Sequence, residues 1–387
     1  MEVVGALSIV LALNVGSSSL KLALFRFEGG HETMLAAGEV EGVGSSDSSL
    51  TLRVGSAKKH TQAKRFADDD EAIAGAFAAL QEAGLPEADR IGHRFVHGGP
   101  DHTRPAVLDD TLLRALAEAT PFAPLHMPPQ LAAVAIVRKR FPNLPQVACF
   151  ATAFHAAMPE VAQRFALPRE LFDRGLRKFG FHGLSYEYLT SVVGAKGRIV
   201  MAHLGSGASL CAVRDGRSVD TTMGLTPTGG IMMGTRAGDV DPGLLLYLLN
   251  NGYNAHSLAA LLDHDSGLRG VSGTTGNMKT LLVQAEADPH AALAVEMFAY
   301  QARKTIGAFA AVLGGIDRLV FTGGIGELAA PVRAKICAGL EHLGITLDAV
   351  HNAADARRIS RGPCLVEIIP TDEERMIARH AQSLANR

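Results

Sequence analysis

The sequence is short of net charge, of paired cysteines and of long apolar runs, and each shortage removes a class of function. Its 37 Lys and Arg against 39 Asp and Glu leave a formal charge of −2, whereas a nucleic-acid or membrane-surface protein needs a basic face. No stretch approaches the roughly 20 consecutive apolar residues of a membrane span. The apolar segment from Val3 to Leu13 is short, has no Lys or Arg before it and runs into a turn at Asn14. It reads as the start of the fold and not as a secretory leader. The four cysteines, Cys149, Cys211, Cys337 and Cys364, show no CxxC or zinc-type spacing and sit in apolar runs. They read as reduced core residues of a cytoplasmic protein. A Gly-x-x-x-x-Gly-Lys-[Ser/Thr] run is also missing, which argues against a P-loop enzyme.

What is present is a chain of 387 residues, 47% apolar and 20% charged, with 41 glycines. That is too long for one typical core and fits a compact α/β protein of two domains or more. The organising stretch is 199–213, an apolar strand, a turn with two glycines at Gly205 and Gly207, and a second strand. Residues 9–25 do nearly the same around Gly16. Laid Gly16 on Gly205 without a gap, Ser17 meets Ser206 and Ala23 meets Ala212. Consecutive backbone N–H groups in such turns make an anion-binding concavity. Two of them, about 190 residues apart, suggest a duplicated domain that holds a phosphate chain between its halves.

The periodicity predicts helices over 71–83, 111–119, 130–140, 185–193, 243–250, 258–262 and 290–313, and buried strands over 146–151 and 318–322. Residues 121–129 read as a rigid proline loop, and 270–277 as a polar turn. The connection over 218–242 is dense in Gly and Thr, and long irregular loops in compact domains are usually functional. The strand at 318–322 runs into Gly323-Gly324-Ile325-Gly326-Glu327 and a helix, the kind of turn at which nucleotides dock in α/β sheets. The domain boundary is expected near residue 152. The second domain then covers 153–370, and the helix at 371–387 joins the first domain, 1–152.

Asn-Val-Gly-Ser-Ser-Ser-Leu-Lys, Gly-His-Arg-Phe-Val-His-Gly-Gly, Ala-Pro-Leu-His, Phe-Gly-Phe-His-Gly, His-Leu-Gly-Ser-Gly-Ala-Ser, Met-Met-Gly-Thr-Arg-Ala-Gly-Asp, Phe-Thr-Gly-Gly-Ile-Gly-Glu and Thr-Asp-Glu-Glu follow one another in order. With this set, from Ile9 to about Ala381, the chain resembles the acetate kinases, relatives of sugar kinases, actin and the heat-shock ATPases. The resemblance implies an α/β fold of two duplicated ribonuclease H-like (actin-type ATPase) domains flanking a nucleotide cleft. It implies phosphorylation of acetate or a short homologue by ATP with Mg²⁺ (or Mn²⁺), giving an acyl phosphate and ADP, in a homodimer. Nothing in it implies a nucleic-acid or membrane partner.

The resemblance also assigns residues. Asn14 and Glu373 would lie at the metal, and Ser17, Ser19 and Lys21 at the ATP phosphates. Arg94 would bind the substrate carboxylate, with Val96, Leu125, Phe181 and Pro227 around its methyl group. His182 and Arg236 would steady the transferring phosphoryl group, joined by His126. The nucleotide would meet His203, Leu204, Gly205, Ser206, Gly207, Asn277, Met278, Lys279, Gly324, Ile325, Gly326, Glu327 and Leu328. His155 is read as structural.

Several positions depart from the family pattern. Ala151 stands where an Asp is usual, Met127 and Gln130 where Asn is usual, and Ser206 where Asn is usual. Thr228-Gly229 replaces Leu-Glu, Asn277 and Lys279 replace Asp and Arg, and Leu328 replaces Asn. Loss of the Asp leaves a second expectation open, a degenerate member that binds nucleotide with weak or no kinase activity. It need not be fatal to activity. An acid with a pKa near that of Glu, about 4.3, is ionised at pH 7 and needs no base. A sugar hydroxyl does need one, so a sugar kinase ranks last.

Overall fold

The computed structural model describes residues 7–16, 19–57 and 60–384. The chain divides into one unit of Met1–Ala153 with Asp372–Arg387 and a second of Phe154–Thr371.

In the first unit β1 (Ser8–Val15) and β2 (Ser19–Glu28) form an antiparallel hairpin, extended by β3 (His31–Glu41), β4 (Ser49–Val54) and β5 (His60–Ala63). On its other side β6 (Arg90–Phe95) runs parallel to β1. The short β7 (Ala106–Val107) closes the far edge, beyond β8 (Gln146–Phe150), which is parallel to β6. The sheet order is β5-β4-β3-β2-β1-β6-β8-β7. Helices α1 (Asp69–Glu82), α2 (Asp110–Glu118) and α3 (Met127–Arg140) make the crossovers. Leu11, Leu13, Leu22 and Leu24 form a core with Ile73 and Ala76 of α1 and Ala133 and Val137 of α3. The Asp68 side chain accepts from Glu71 N–H and caps α1, whose first turn is acidic, as the helix dipole favours. The proline loop ends sooner than expected. Pro128 and Pro129 sit in the first turn of α3, where a missing N–H costs nothing and the fixed φ suits the helix.

The second unit opens with the short α4 (Glu160–Gln163) and α5 (Arg169–Asp173), then α6 (Gly183–Val193). The hairpin β9 (Arg198–Leu204) and β10 (Ala208–Arg214) follows, with β11 (Arg217–Thr221) antiparallel beside it. Helices α7 (Pro242–Asn250), α8 (Ala255–His264), α9 (Gly267–Ser272), α10 (Met278–Gln284) and α11 (Pro289–Leu313) lead to β12 (Arg318–Thr322), parallel to β9. After α12 (Gly323–Leu328), α13 (Ala330–Cys337) and α14 (Ala349–Ala353), β13 (Leu365–Ile368) lies parallel to β12. Two expected turns are partly helical: 267–272 winds into α9, and the glycine run 323–328 is itself α12.

The order β11-β10-β9-β12-β13 repeats the β3-β2-β1-β6-β8 core of the first sheet, with the same strand directions. The gapless match of the two hairpins does not extend past the turns. Ala23 faces Ala12, but Ala212 faces Val200, the counterpart of Leu11, because Val15 pairs Leu20 while Leu204 pairs Ala208. The second loop is one residue tighter, and loop length sets hairpin register.

Helix α15 (Glu373–Leu384) returns to the first unit and packs on β1, β2, β6 and β8. A Cβ at Gly92 of β6 would stand 2.5 Å from Ile377 Cγ2, so glycine there lets helix and sheet meet. With its faces covered by α1, α3 and α15, β1 is apolar nearly throughout, as expected of a strand buried on both sides.

Candidate active site

In the first unit the candidate residues gather at the ends of β1 and β6 and the start of α15. Asn14 and Lys21 are direct cross-strand partners. Asn14 Nδ2 donates to Glu374 Oε1 at 3.0 Å. Lys21 Nζ, half exposed, lies 3.7 Å from Glu39 Oε1. The turn between them closes with Gly16 N–H donating to Ser19 O at 2.8 Å. A Cβ on Gly16 would come within 3.1 Å of Ser19 Oγ. Ser17 lies outside the described residues.

Arg94, near the end of β6, donates Nε–H to Glu373 Oε2 at 2.9 Å. Glu373 is thus held by Arg94, and the carboxylate on Asn14 is its neighbour Glu374, which the sequence reading passed over. Burial, and then the charge of Glu373, push the Glu374 carboxyl above its ordinary pKa. Val96 is buried, its N–H donating to Gln130 Oε1. Leu125, by contrast, is 41% exposed. His126 is half-buried at the N-cap of α3. Ala151, directly after β8, is 0% exposed and its N–H donates to Phe95 O at 2.9 Å.

In the second unit the chain brings distant stretches together around Gly205, Ser206 and Gly207. Gly205 N–H closes the turn on Gly207 O at 3.0 Å. A Cβ on Gly207 would meet Arg236 Nη1 at 3.5 Å and His182 Nε2 at 3.6 Å. Both cationic-type side chains therefore converge on one bare backbone face. Gly234 N–H donates to Ser206 O at 2.9 Å, and a Cβ on Gly276 would lie 2.5 Å from Gly234 O. Three glycine-bearing segments thus stack backbone on backbone, and Asn277 follows directly. Arg236 Nη1 also donates to the carbonyl of buried Pro227 at 3.2 Å.

His182 has φ +57°, an uncommon left-handed backbone for a side-chain-bearing residue. Its surroundings hold it there. Nδ1 shares a 2.8 Å hydrogen bond with Ser209 Oγ, which also meets Tyr186 Oη, and its ring stacks on His203 with centroids 4.1 Å apart. His155 supports the same turn from beneath, bonding Ser218 Oγ and the carbonyl of buried Phe181. His203 Nδ1 bonds Ser185 Oγ, which bonds Thr371 Oγ1.

The glycine helix α12 abuts the end of β9. A Cβ on Gly323, at φ +75°, would sit 2.8 Å from the carbonyl oxygen of buried Leu204. The Glu327 side chain turns back to accept from Gly323 N–H at 2.9 Å, so it shapes the turn instead of projecting from it. Behind it the fully buried Arg333, unsuspected from sequence, donates to the carbonyls of Gly326 and Glu327 and to Asn352. Gly324 is exposed, Ile325 half-buried, and Leu328 exposed. Asn277 caps α10, accepting from Thr280 N–H at 3.1 Å, a task Asn and Asp perform about equally. Met278 is buried beneath it and Lys279 is exposed. Among the described residues no group of three or more His, Cys, Asp or Glu is arranged around a metal position.

The model of the Acetokinase family matches residues 9–379. The chain belongs to that family. Acetokinase relatives resemble it along their whole length. The acetate kinase of Rhizobium meliloti is 44% identical over 392 residues, covering 97% of this chain and 98% of that one. The acetate kinase of Rhodopseudomonas palustris (strain ATCC BAA-98 / CGA009) is 44% identical over 398 residues, covering 98% of each. Among solved structures, a propionate kinase from Francisella tularensis superposes with a TM-score of 0.90 at 34% identity, covering 97% of this chain and 100% of that one. Porphyromonas gingivalis acetate kinase does so at 0.86 and 36%, covering 98% and 100%. The two matched sheets of this chain are therefore the duplicated domains of the acetokinase fold.

Proposed function

We propose that this acetokinase transfers the γ-phosphoryl group of ATP directly and reversibly to a carboxylate oxygen of acetate or a short homologue, giving acyl phosphate and ADP. The observation that carries the reading is the convergence of His182 Nε2 and Arg236 Nη1 on the bare face of Gly207. Phosphoryl transfer asks for positive charge and hydrogen-bond donors on the equatorial oxygens more than for covalent help. Backbone N–H groups of the Gly205–Gly207 turn, with Ser19 and Lys21, hold the phosphate chain. The α12 turn and the Asn277 segment receive the nucleoside. Arg94 holds the acid, with Val96, Leu125, Phe181 and Pro227 against its alkyl end and His126 as a further donor. The acid enters ionised, so no side chain has to remove a proton, and Ala151 is compatible with turnover.

The residues of the first unit fit a hard divalent cation. Asn14 offers an amide oxygen, and Glu373 and Glu374 are adjacent, poorly hydrated carboxylates whose mutual repulsion a cation relieves. Mg²⁺ binds through one or two carboxylates plus phosphate oxygens, so Asn14 with Glu373 or Glu374 would hold Mg²⁺, or Mn²⁺ in its place. When bound, the cation neutralises charge on the phosphate oxygens.

The reading extends to a cytoplasmic homodimer. All four cysteines are free and buried, which suits a reducing compartment. No described helix is long and apolar enough to cross a membrane. Helix α7 buries none of its residues yet exposes Leu244, Leu246, Tyr247 and Leu249, an apolar surface that suits a second copy.

An ATP-dependent acyl-hydroxamate assay across C2 to C4 acids, with Mg²⁺ and with Mn²⁺, tests the reading. Hydroxamate with at least one acid is expected. None with any acid or metal overturns it.

A further inference from the structure

The parallel ladder between β1 and β6 stops at the pair Leu13–His93. Beyond that pair one strand carries Val15 into the Gly16 turn, and the other carries Arg94 and then Val96. Gln130, in the first turn of α3, reaches both ends. Its Oε1 accepts from Val96 N–H at 2.9 Å and its Nε2 donates to Val15 O at 3.3 Å. The side chain is 2% exposed. Its amide therefore offers one donor and one acceptor to strand ends that no longer pair, as a peptide group of the ladder would. α/β sheets open for ligands where neighbouring strands part at their carboxyl ends.

We infer that Gln130 is a positioning residue that sets the spacing between the first phosphate turn and the acid-binding end of β6. The inference rests on the kinase reading for the roles of those two segments. Gln130 acts through backbone alone. One of its bonds fixes the carbonyl immediately before Gly16, and the other fixes the amide two residues beyond Arg94. A 1 Å error in either would misplace a reactant, and such errors are costly to rate. Nothing in the spacing of the sequence reveals the bridge, since Gln130 is 115 and 34 residues from its two partners.

Two variants separate this role from mere packing. Gln130→Glu keeps the acceptor for Val96 but, while ionised, has no donor for Val15; once protonated it regains one. The KM for ATP is expected to rise at least fivefold over the unaltered protein at alkaline pH. It should return to within twofold as pH falls, with the KM for the acid within twofold throughout. Gln130→Met removes both bonds, and both KM values should rise at every pH. Unchanged KM values in both variants, or a loss confined to melting temperature, overturn the inference. If the unaltered protein makes no acyl phosphate, the kinase reading fails by itself and the inference is read from binding. MgATP should then raise the melting temperature of the unaltered protein more than that of Gln130→Met. Equal shifts, or no shift in either, overturn it.

Discussion

Arg94 meets Glu373, Nε to Oε2, at 2.9 Å. The pair joins two residues to which the family resemblance gives different tasks, one at the acid and one at the metal. Arg94→Ala should raise the KM for the acid with a smaller effect on kcat. It should also lower stability, on the order of 3 kcal/mol, because it strands a largely buried carboxylate. Arg94→Ala/Glu373→Ala should recover much of that stability and none of the KM. Steady-state kinetics and thermal denaturation on the single and double variants check this. Recovery of both would make the pair purely structural.

Arg236 and His182 converge on Gly207 and should act on the transition state. Arg236→Ala should lower kcat by about 10³ with little change in either KM. Ser209→Ala removes the hydroxyl that holds His182 Nδ1 and should lower kcat about tenfold, roughly the value of one hydrogen bond. Initial-rate measurements at saturating acid and ATP decide between this and a ground-state role, in which the KM values would move instead.

Ala151 lies at the position where a metal-side Asp is usual, and it is fully buried. Ala151→Asp should therefore cost a few kcal/mol in metal-free protein, the price of an unpaired buried carboxylate. MgATP should narrow the deficit. The substitution should also lower the Mg²⁺ concentration for half-maximal rate and raise kcat/KM about tenfold, a change of ~1.4 kcal/mol. Melting curves with and without MgATP and a Mg²⁺ titration of the rate provide the measurement. An Asp variant that is damaged in both would show that Glu374 or Glu373 already serves the cation.

His93 and His155 are fully buried, and burial lowers the pKa of each from 6.5 to about 4. The unfolded chain takes up these protons near pH 6.5, while the folded protein resists them until about pH 4. Their contribution to stability is thus complete above pH 6.5 and is lost as pH falls toward 4. Each loss is on the order of 3 kcal/mol. Melting temperature should fall steeply across that window, and His93→Gln should reduce the slope. An unchanged slope would show that His93 keeps its proton in the fold.

Much of the architecture was legible because it is written locally. Glycine turns flanked by apolar strands announced both hairpins, and helical periodicity placed most of the longer helices, α11 among them. Side-chain direction was not legible. Glu373 and Glu374 are neighbours in sequence, yet consecutive helical residues point about 100° apart, so one meets Arg94 and the other Asn14. The one-residue slip between the hairpins was hidden because it depends on how tightly each loop closes. The bridging of Gln130 and the burial of Arg333 depend on partners far along the chain. The return of the Glu327 carboxylate onto its own helix start was not legible either, since it depends on side-chain direction.

Helix α15 belongs to the first unit although its residues are the last of the described chain to be synthesised. The emerging N-terminal unit exposes the face of β1, β2, β6 and β8 that α15 later covers, and it lacks both Glu373 and Glu374. At roughly 5–20 residues per second, the ribosome leaves that unit open for tens of seconds while the second unit is made. That face is therefore completed only once α15 has been made. Under the kinase reading, a chain cut short before α15 has no Glu373–Glu374 pair to offer the cation.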